Sequence, residues 1–184
     1  MEFLETRIVD LESNKESSTA NNLEFVPDDI NNKMDEIDLA LDDLEQYSRR
    51  NCLRFFGIKE ASNEKADDII LKLANDIGVD LTLDDIERSH RVGRKFDNST
   101  KPRPIIVKFC SYRKRNDIIK SRRRLKGSGK FIHEDLTYKR QILMNQLRQK
   151  TAVLAVWSID GRIFASIKKN GKEITQRVLS INDI

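Results

Sequence analysis

Nine basic residues fall within one short stretch, Arg113, Lys114, Arg115, Lys120, Arg122, Arg123, Arg124, Lys126 and Lys130, and Asp117 is the only acid among them. The chemistry such a stretch offers is capture of phosphate oxygens. Guanidinium groups present a planar fork of donors to them, and lysines add point charge. A second basic group, Arg88, Arg91, Arg94 and Lys95, precedes it, with Lys108 between the two and Lys139, Arg140 and Arg148 after them. Basic clusters also serve as nuclear import signals, which is the competing use of the same residues. Aromatic side chains add stacking surface. Phe55 and Phe56 are adjacent on a predicted strand and must point to opposite faces, so one is core and the other is free to meet a base. Placing Leu53 and Phe55 toward the interior puts Arg54 and Phe56 on the open side. Tyr138 and Trp157 are the other stacking candidates, with core packing the alternative for Trp157. His90, beside Arg91 and Val92, reads as structural.

Catalytic constellations are missing from the pattern. No recognisable arrangement of a nucleophile with its base is present, and Gly127-Ser128-Gly129 lacks the Gly-Lys-Ser/Thr that would complete a phosphate-binding loop. Glu134-Asp135 reads as an acid pair at a helix start, favoured by the helix dipole, rather than as a metal site. Cys52 and Cys110 lie far from each other and from any histidine at ligand spacing, so both are expected to be buried small apolar residues. The expectation is a non-enzyme without cofactor or metal and with no small-molecule substrate.

Charge is segregated along the chain. Residues 1–50 hold 5 Lys+Arg against 14 Asp+Glu, and residues 51–184 hold 29 against 16. From Arg88 to Lys150 there are 20 basic and 4 acidic residues, the pattern of a surface that binds polyanions. With 38% hydrophobic and 35% charged residues, part of the chain must be solvated on most sides. No apolar run approaches the roughly 18 to 20 residues of a membrane span, and the acidic start is unlike a secretion signal, so the protein is expected to be neither secreted nor inserted.

The elements that must position these residues can be read in order. Ile30, Met34, Ile37, Leu41 and Leu44 alternate steps of four and three, the spacing of a coiled-coil seam. With Met34 and Leu41 at a and the other three at d, the pattern leans away from dimers, and a trimer is the favoured homo-oligomer. An amphipathic helix folded onto its own domain is the alternative. Leu4, Ile8 and Leu11 repeat the step in a short coil separated by a polar stretch and Pro27. Strands are predicted at 51–58, 86–92, 104–109 and 130–133. Helices are predicted from Ala66 to Ile77, closed by Gly78, and from an N-cap at Ser111 to about Leu125. Gly93 to Pro102 is expected to be a loop. The order strand, helix, strand, strand, helix, strand is that of a ferredoxin-like βαββαβ layout. A helix at 136–150 and strands at 153–159, 162–167 and 172–178, joined by Asp160-Gly161 and Asn170-Gly171 turns, form a small C-terminal α+β domain. The fold class is therefore α+β, with a polar segment at 1–29, a coiled coil at 30–49, a ferredoxin-like domain at 50–134 and the C-terminal domain at 135–184.

Arg50-Asn51-Cys52-Leu53-Arg54-Phe55-Phe56-Gly57-Ile58, Ser89-His90-Arg91-Val92-Gly93, Pro102-Arg103-Pro104-Ile105-Ile106-Val107-Lys108-Phe109, and Trp157 with Asp160-Gly161-Arg162-Ile163-Phe164 occur in one order. In that order the sequence resembles the first open-reading-frame proteins of LINE-type retrotransposons and the related baculovirus few-polyhedra protein, over residues 30–184. Its terminal strands are closer to the few-polyhedra C-terminal domain. The resemblance implies a coiled-coil trimer, an RNA-recognition-motif-like domain and a C-terminal domain that together clamp single-stranded RNA or DNA, with chaperone behaviour. It also implies a cleft between the two folded domains, for which Arg91, Lys139, Arg140 and Arg148 are the candidates. A standard motif carries aromatic residues on its third strand. Here that strand offers Ile106 and Lys108 on one face and Ile105, Val107 and Phe109 on the other.

The resulting expectation is an oligomeric ribonucleoprotein component in cytoplasmic particles, with the nucleus as the alternative. The competing class is a structural or virion-associated scaffold whose basic region binds acidic protein partners.

Overall fold

The computed structural model describes residues 28–94, 101–169 and 171–184. The short coil read at Leu4, Ile8 and Leu11, the polar stretch after it, Lys95 with most of the loop that follows, and Asn170 of the second hairpin turn lie outside the described residues. The chain divides into two compact units, Met1–Leu41 and Asp42–Ile184.

Helix α1, Asp28–Ser48, contains neither glycine nor proline and runs from the first unit into the second. In the first unit its described part carries one i,i+4 ion pair, Lys33 to Asp29 at 2.9 Å, exposed and worth only a few tenths of a kcal/mol. Ile30, Met34, Ile37 and Leu41 are all exposed, and so is Leu44 in the second unit, at 67%. The last two turns belong to the fold of the larger unit. Asp42 and Gln46 are buried, although both lie inside the span 30–49 expected to be coiled coil.

The larger unit is α+β and contains two antiparallel sheets. Strands β1 (Cys52–Phe56), β2 (Ile86–Arg91), β3 (Ile105–Phe109) and β4 (Phe131–Glu134) form the first, in the order β2-β3-β1-β4. Helices α2 (Ala66–Asp76) and α3 (Tyr112–Ser121) supply its core together with the sheet's inner face. Strict alternation makes this work. Leu53 and Phe55 of β1, Ile105, Val107 and Phe109 of β3 and Ile132 of β4 are buried against Ile70, Leu73, Ile77 and Ile118. Arg54, Phe56, Ile106 and Lys108 take the other face, as the spacing predicted. Ser111 caps α3 by accepting the Arg113 N–H at 3.1 Å. The α-helix stops at Ser121 rather than continuing to Leu125, and Arg122–Leu125 form a 3-10 turn. Cys52 is buried as expected, but Cys110 is exposed because it follows the last residue of β3 on the way into α3.

The second sheet, β5 (Val153–Ile159), β6 (Arg162–Lys169) and β7 (Lys172–Val178), packs on helix α4 (Tyr138–Gln149) through Met144, Leu147, Ile163, Ala165, Ile167 and Val178. Asp160 and Gly161, both at positive φ (50° and 76°), make the two-residue turn between β5 and β6. Gly161 is required twice over, because a Cβ there would stand 2.4 Å from the Gln46 side chain.

Glu134 and Asp135 hold these parts together. They are not acids at a helix start: α4 begins at Tyr138 and is capped by Thr137, which accepts the Arg140 N–H. Glu134 ends β4 and faces the helix side, where it accepts from Arg115 at 2.5 Å and from the backbone N–H groups of Asp160 and Gly161 at 2.9 and 3.1 Å. Asp135 accepts from Arg54 at 2.5 Å and Arg49 at 3.1 Å, and its carbonyl accepts from Gln46 at 3.0 Å. Around this pair, Asp42 takes Thr137 at 2.6 Å and Arg140 at 2.7 Å, and Arg140 also donates to the carbonyl of Gly161.

Arg115 and Glu134 are 3% and 4% exposed, so removing one strands the other's charge out of water. Glu134→Ala should destabilise the larger unit by about 3 to 5 kcal/mol in urea unfolding. Arg115→Met with Glu134→Leu should recover part of that loss, the backbone donors of the turn remaining unpaired. A loss under about 1 kcal/mol for the single variant would put this pair in the class of exposed bridges.

Candidate nucleic-acid interface

β4 is the edge strand of the first sheet, and its burial alternates, with Ile132 and Glu134 inward and Phe131 and His133 outward. Cross-strand register sets Phe56 beside Phe131 and Arg54 beside His133. Facing this edge are α4 and β5. Between them lies a cleft of about 470 Å³, within the usual range for ligand sites. Ile132, Met144 and Val156 give it an apolar floor, and Phe131 and Trp157 expose aromatic surface to it. Arg122, Arg123, Lys126, Lys130 and Arg148 surround it. Among the described residues no carboxylate lines it.

The 3-10 turn decides how the arginine run is used. At three residues per turn successive side chains diverge by about 120°. Arg122 and Arg123 line the cleft, whereas Arg124 turns away to donate to the Ile77 carbonyl at 2.5 Å, closing the C-terminal end of α2 over Gly78. Among the described residues none of the five cleft cations forms an ion pair. Arg148 has one long hydrogen bond, to Asn145 at 3.4 Å.

Of the residues expected to bind nucleic acid, the fold brings Arg122, Arg123, Lys126, Arg148 and Trp157 to this one place. Phe56 stands at its margin, edge-on to His133 with ring centroids 5.4 Å apart. Two candidates are withdrawn because the fold consumes them. Arg91, 7% exposed, binds Glu64 at 2.7 Å and the carbonyls of Ile58, Lys59 and Arg103, so it ties the loop after β1 to β2 rather than lining a cleft. Arg115 is the buried partner of Glu134. Arg54 is held by Asp135 and Arg140 by Asp42, and Lys114 is engaged by Asp80 and Asp85. Lys108 meets Glu87 at 2.6 Å, but both are about half exposed, so the pair is weak. Arg88 lies on the opposite edge strand, Arg113 at the start of α3, and Lys139 on the first turn of α4, all outside the cleft lining.

Phe131 and His133 are the functional candidates that sequence reasoning missed. The signal was the alternation of β4, which puts both opposite the buried Ile132. Crowding by the cleft walls, and then the charges of Arg122 and Arg148, push the His133 imidazole below its ordinary value of 6.5. Among the described residues no group of three or more His, Cys, Asp or Glu is placed to hold a metal, and no helix is long and apolar enough to cross a membrane. No protein-family model matches the sequence, and no curated protein matches it.

A depressed imidazole pKa means that the unfolded chain takes up the proton first as pH falls. The stability linked to His133 is therefore full above about pH 6.5 and declines as pH drops from there through the folded value. An NMR titration, assigned with His133→Gln, should find the imidazole below 6.5, and Arg148→Gln should raise it. A midpoint at or above 6.5 would contradict the crowded, cationic setting.

Proposed function

We propose that the chain is a non-enzymatic protein that binds single-stranded nucleic acid, RNA foremost, in the cleft between β4 and the C-terminal sheet. The observation that carries this reading is a cleft at which, among the described residues, five cations without an ion pair meet the exposed Phe131 and the half-buried Trp157 and no acid. Phosphates suit the cations, because each contact releases condensed counterions. Bases suit Phe131 and Trp157, because stacking needs only a π-face and an unpaired strand. Duplex bases are already stacked on one another and offer no such face, so strandedness sets the preference.

The first sheet supports a ferredoxin-like, RNA-recognition-motif-like reading through its order β2-β3-β1-β4 and its two helices on one face. Its third strand presents Ile106 and Lys108 outward, so stacking moves from the sheet centre to β4 and β5. The proposal includes kinship with the LINE-type first open-reading-frame proteins and a place in cytoplasmic ribonucleoprotein particles. It also includes self-association, favouring a trimer, through the heptad stripe of α1. The support for that is the exposure of Ile30, Met34, Ile37, Leu41 and Leu44, which lie between 47% and 67% accessible. Holding several clefts on one coil raises avidity without sequence specificity.

The test is a salt series. Arg122→Gln with Arg123→Gln should flatten the dependence of log affinity on log salt by about 0.7 to 1.4 for single strands, equally for two unrelated oligonucleotides. Arg124→Gln should lower the melting temperature and leave the slope alone. An unchanged slope in the double variant, or a loss confined to one oligonucleotide, would refute the cleft as a backbone clamp.

A further inference from the structure

A second basin of about 510 Å³ lies on the outer face of the C-terminal sheet, where Phe164, Arg162 and Arg177 meet Tyr47 and Arg50 from the end of α1. Its two carboxylates are already engaged. Asp43 is bonded by Arg140, and Asp160 accepts from the Tyr112 hydroxyl at 2.6 Å with Arg115 at 3.6 Å. The arginines are in the opposite condition. Among the described residues no hydrogen bond or ion pair engages Arg162 or Arg177. The Arg50 guanidinium lies over the rings of Tyr47 and Tyr112, at 5.0 and 4.8 Å.

Register connects this basin to the cleft. Trp157 of β5 is paired with Phe164 of β6, and Phe164 with Arg177 of β7, so the three form one row across the sheet. Trp157 lines the cleft and Phe164 lines the basin, and their rings stack at 15° with centroids 6.2 Å apart. Two strand spacings make the row about 10 Å long, on the order of three nucleotides at a stacked rise of ~3.4 Å.

We propose that a single strand leaving the cleft continues over Trp157 and Phe164 into this basin, where Arg162, Arg177 and Arg50 take its next phosphates. The proposal rests on the nucleic-acid reading of the cleft and extends it from one site to a directed path. An acidic peptide would find the cations but would have no use for the stacked aromatic row leading to them, so the strand is the occupant the geometry favours.

The experiment measures affinity of the full chain by fluorescence anisotropy for oligouridylates of about 4 nucleotides, too short to fill the cleft and cross the row, and of about 15, a range matched to single-strand site sizes. Wild type is compared with Arg162→Gln/Arg177→Gln and with Arg122→Gln/Arg123→Gln. The basin variant should keep its affinity for the short strand within about twofold. It should lose about 5- to 20-fold on the long one, with a salt slope flatter by up to about 1.4 there alone. The cleft variant should lose both. If Arg177→Gln disturbs the sheet, the exposed Arg162→Glu alone should reproduce the length-dependent loss. Unchanged affinity of the basin variants for the long strand, or an equal loss on both lengths, overturns the path and leaves the cleft standing. Failure of wild type to bind either strand overturns the cleft and the path together.

Discussion

Two adjacent buried acids, Glu134 and Asp135, set the geometry on which everything else in the larger unit depends. They sit where β4 gives way to the C-terminal half and look in different directions. Glu134 reaches across to Arg115 and the backbone of the β5–β6 turn, while Asp135 gathers Arg49 and Arg54. A buried carboxylate is costly unless its charge is paired and its oxygens are bonded, so these acids tolerate few alternative arrangements of their donors. The donors come from the end of α1, from β1, from α3 and from the turn at Asp160. Satisfying them fixes the separation of the two walls of the cleft.

So basic a region is not a uniformly free cationic surface. Many of its arginines are internal fasteners. Arg91 fixes the loop after β1, Arg103 binds Glu60 and Arg140 binds Asp42, each with an acid remote in sequence. Hydrogen bonds from Arg103 hold the Glu60 carboxyl down to about 2. Among the described residues, the cations left without a salt bridge include those of the 3-10 turn, the loop that follows it, the last turn of α4 and the outer face of the C-terminal sheet. On the proposed function, affinity for a polyanion would reside in that remainder rather than in the total charge.

Much of the architecture was legible in the sequence because it rests on local periodicity. The alternation of Ile105 to Phe109, the apolar face from Ala66 to Ile77 and the Asp160-Gly161 turn each announce one element. The site was legible only as a composition. Nothing in the neighbourhood of Arg91 or Arg115 distinguishes them from Arg122 or Arg123, since their partners Glu64 and Glu134 are 27 and 19 positions away. Glu134-Asp135 was read as local because a helix follows closely, and its actual donors are tertiary. Phe131 and His133 needed the register of β4 against β1, which only the assembled sheet provides. The sign of the surface was therefore readable in advance, but which of its cations stay unpaired was decided by tertiary contacts.

The claim that the strand lies between β4 and the C-terminal sheet is tested most directly by photo-crosslinking. The full chain would be irradiated with an oligonucleotide of thiouridines, and the modified residues located by mass spectrometry. The account predicts adducts concentrated on Phe131, Trp157 and their immediate neighbours, and suppressed by competing unlabelled single strand but not by duplex. Adducts spread along the exposed face of α3, around Arg113 and Lys120, with none at Phe131 or Trp157, would contradict it.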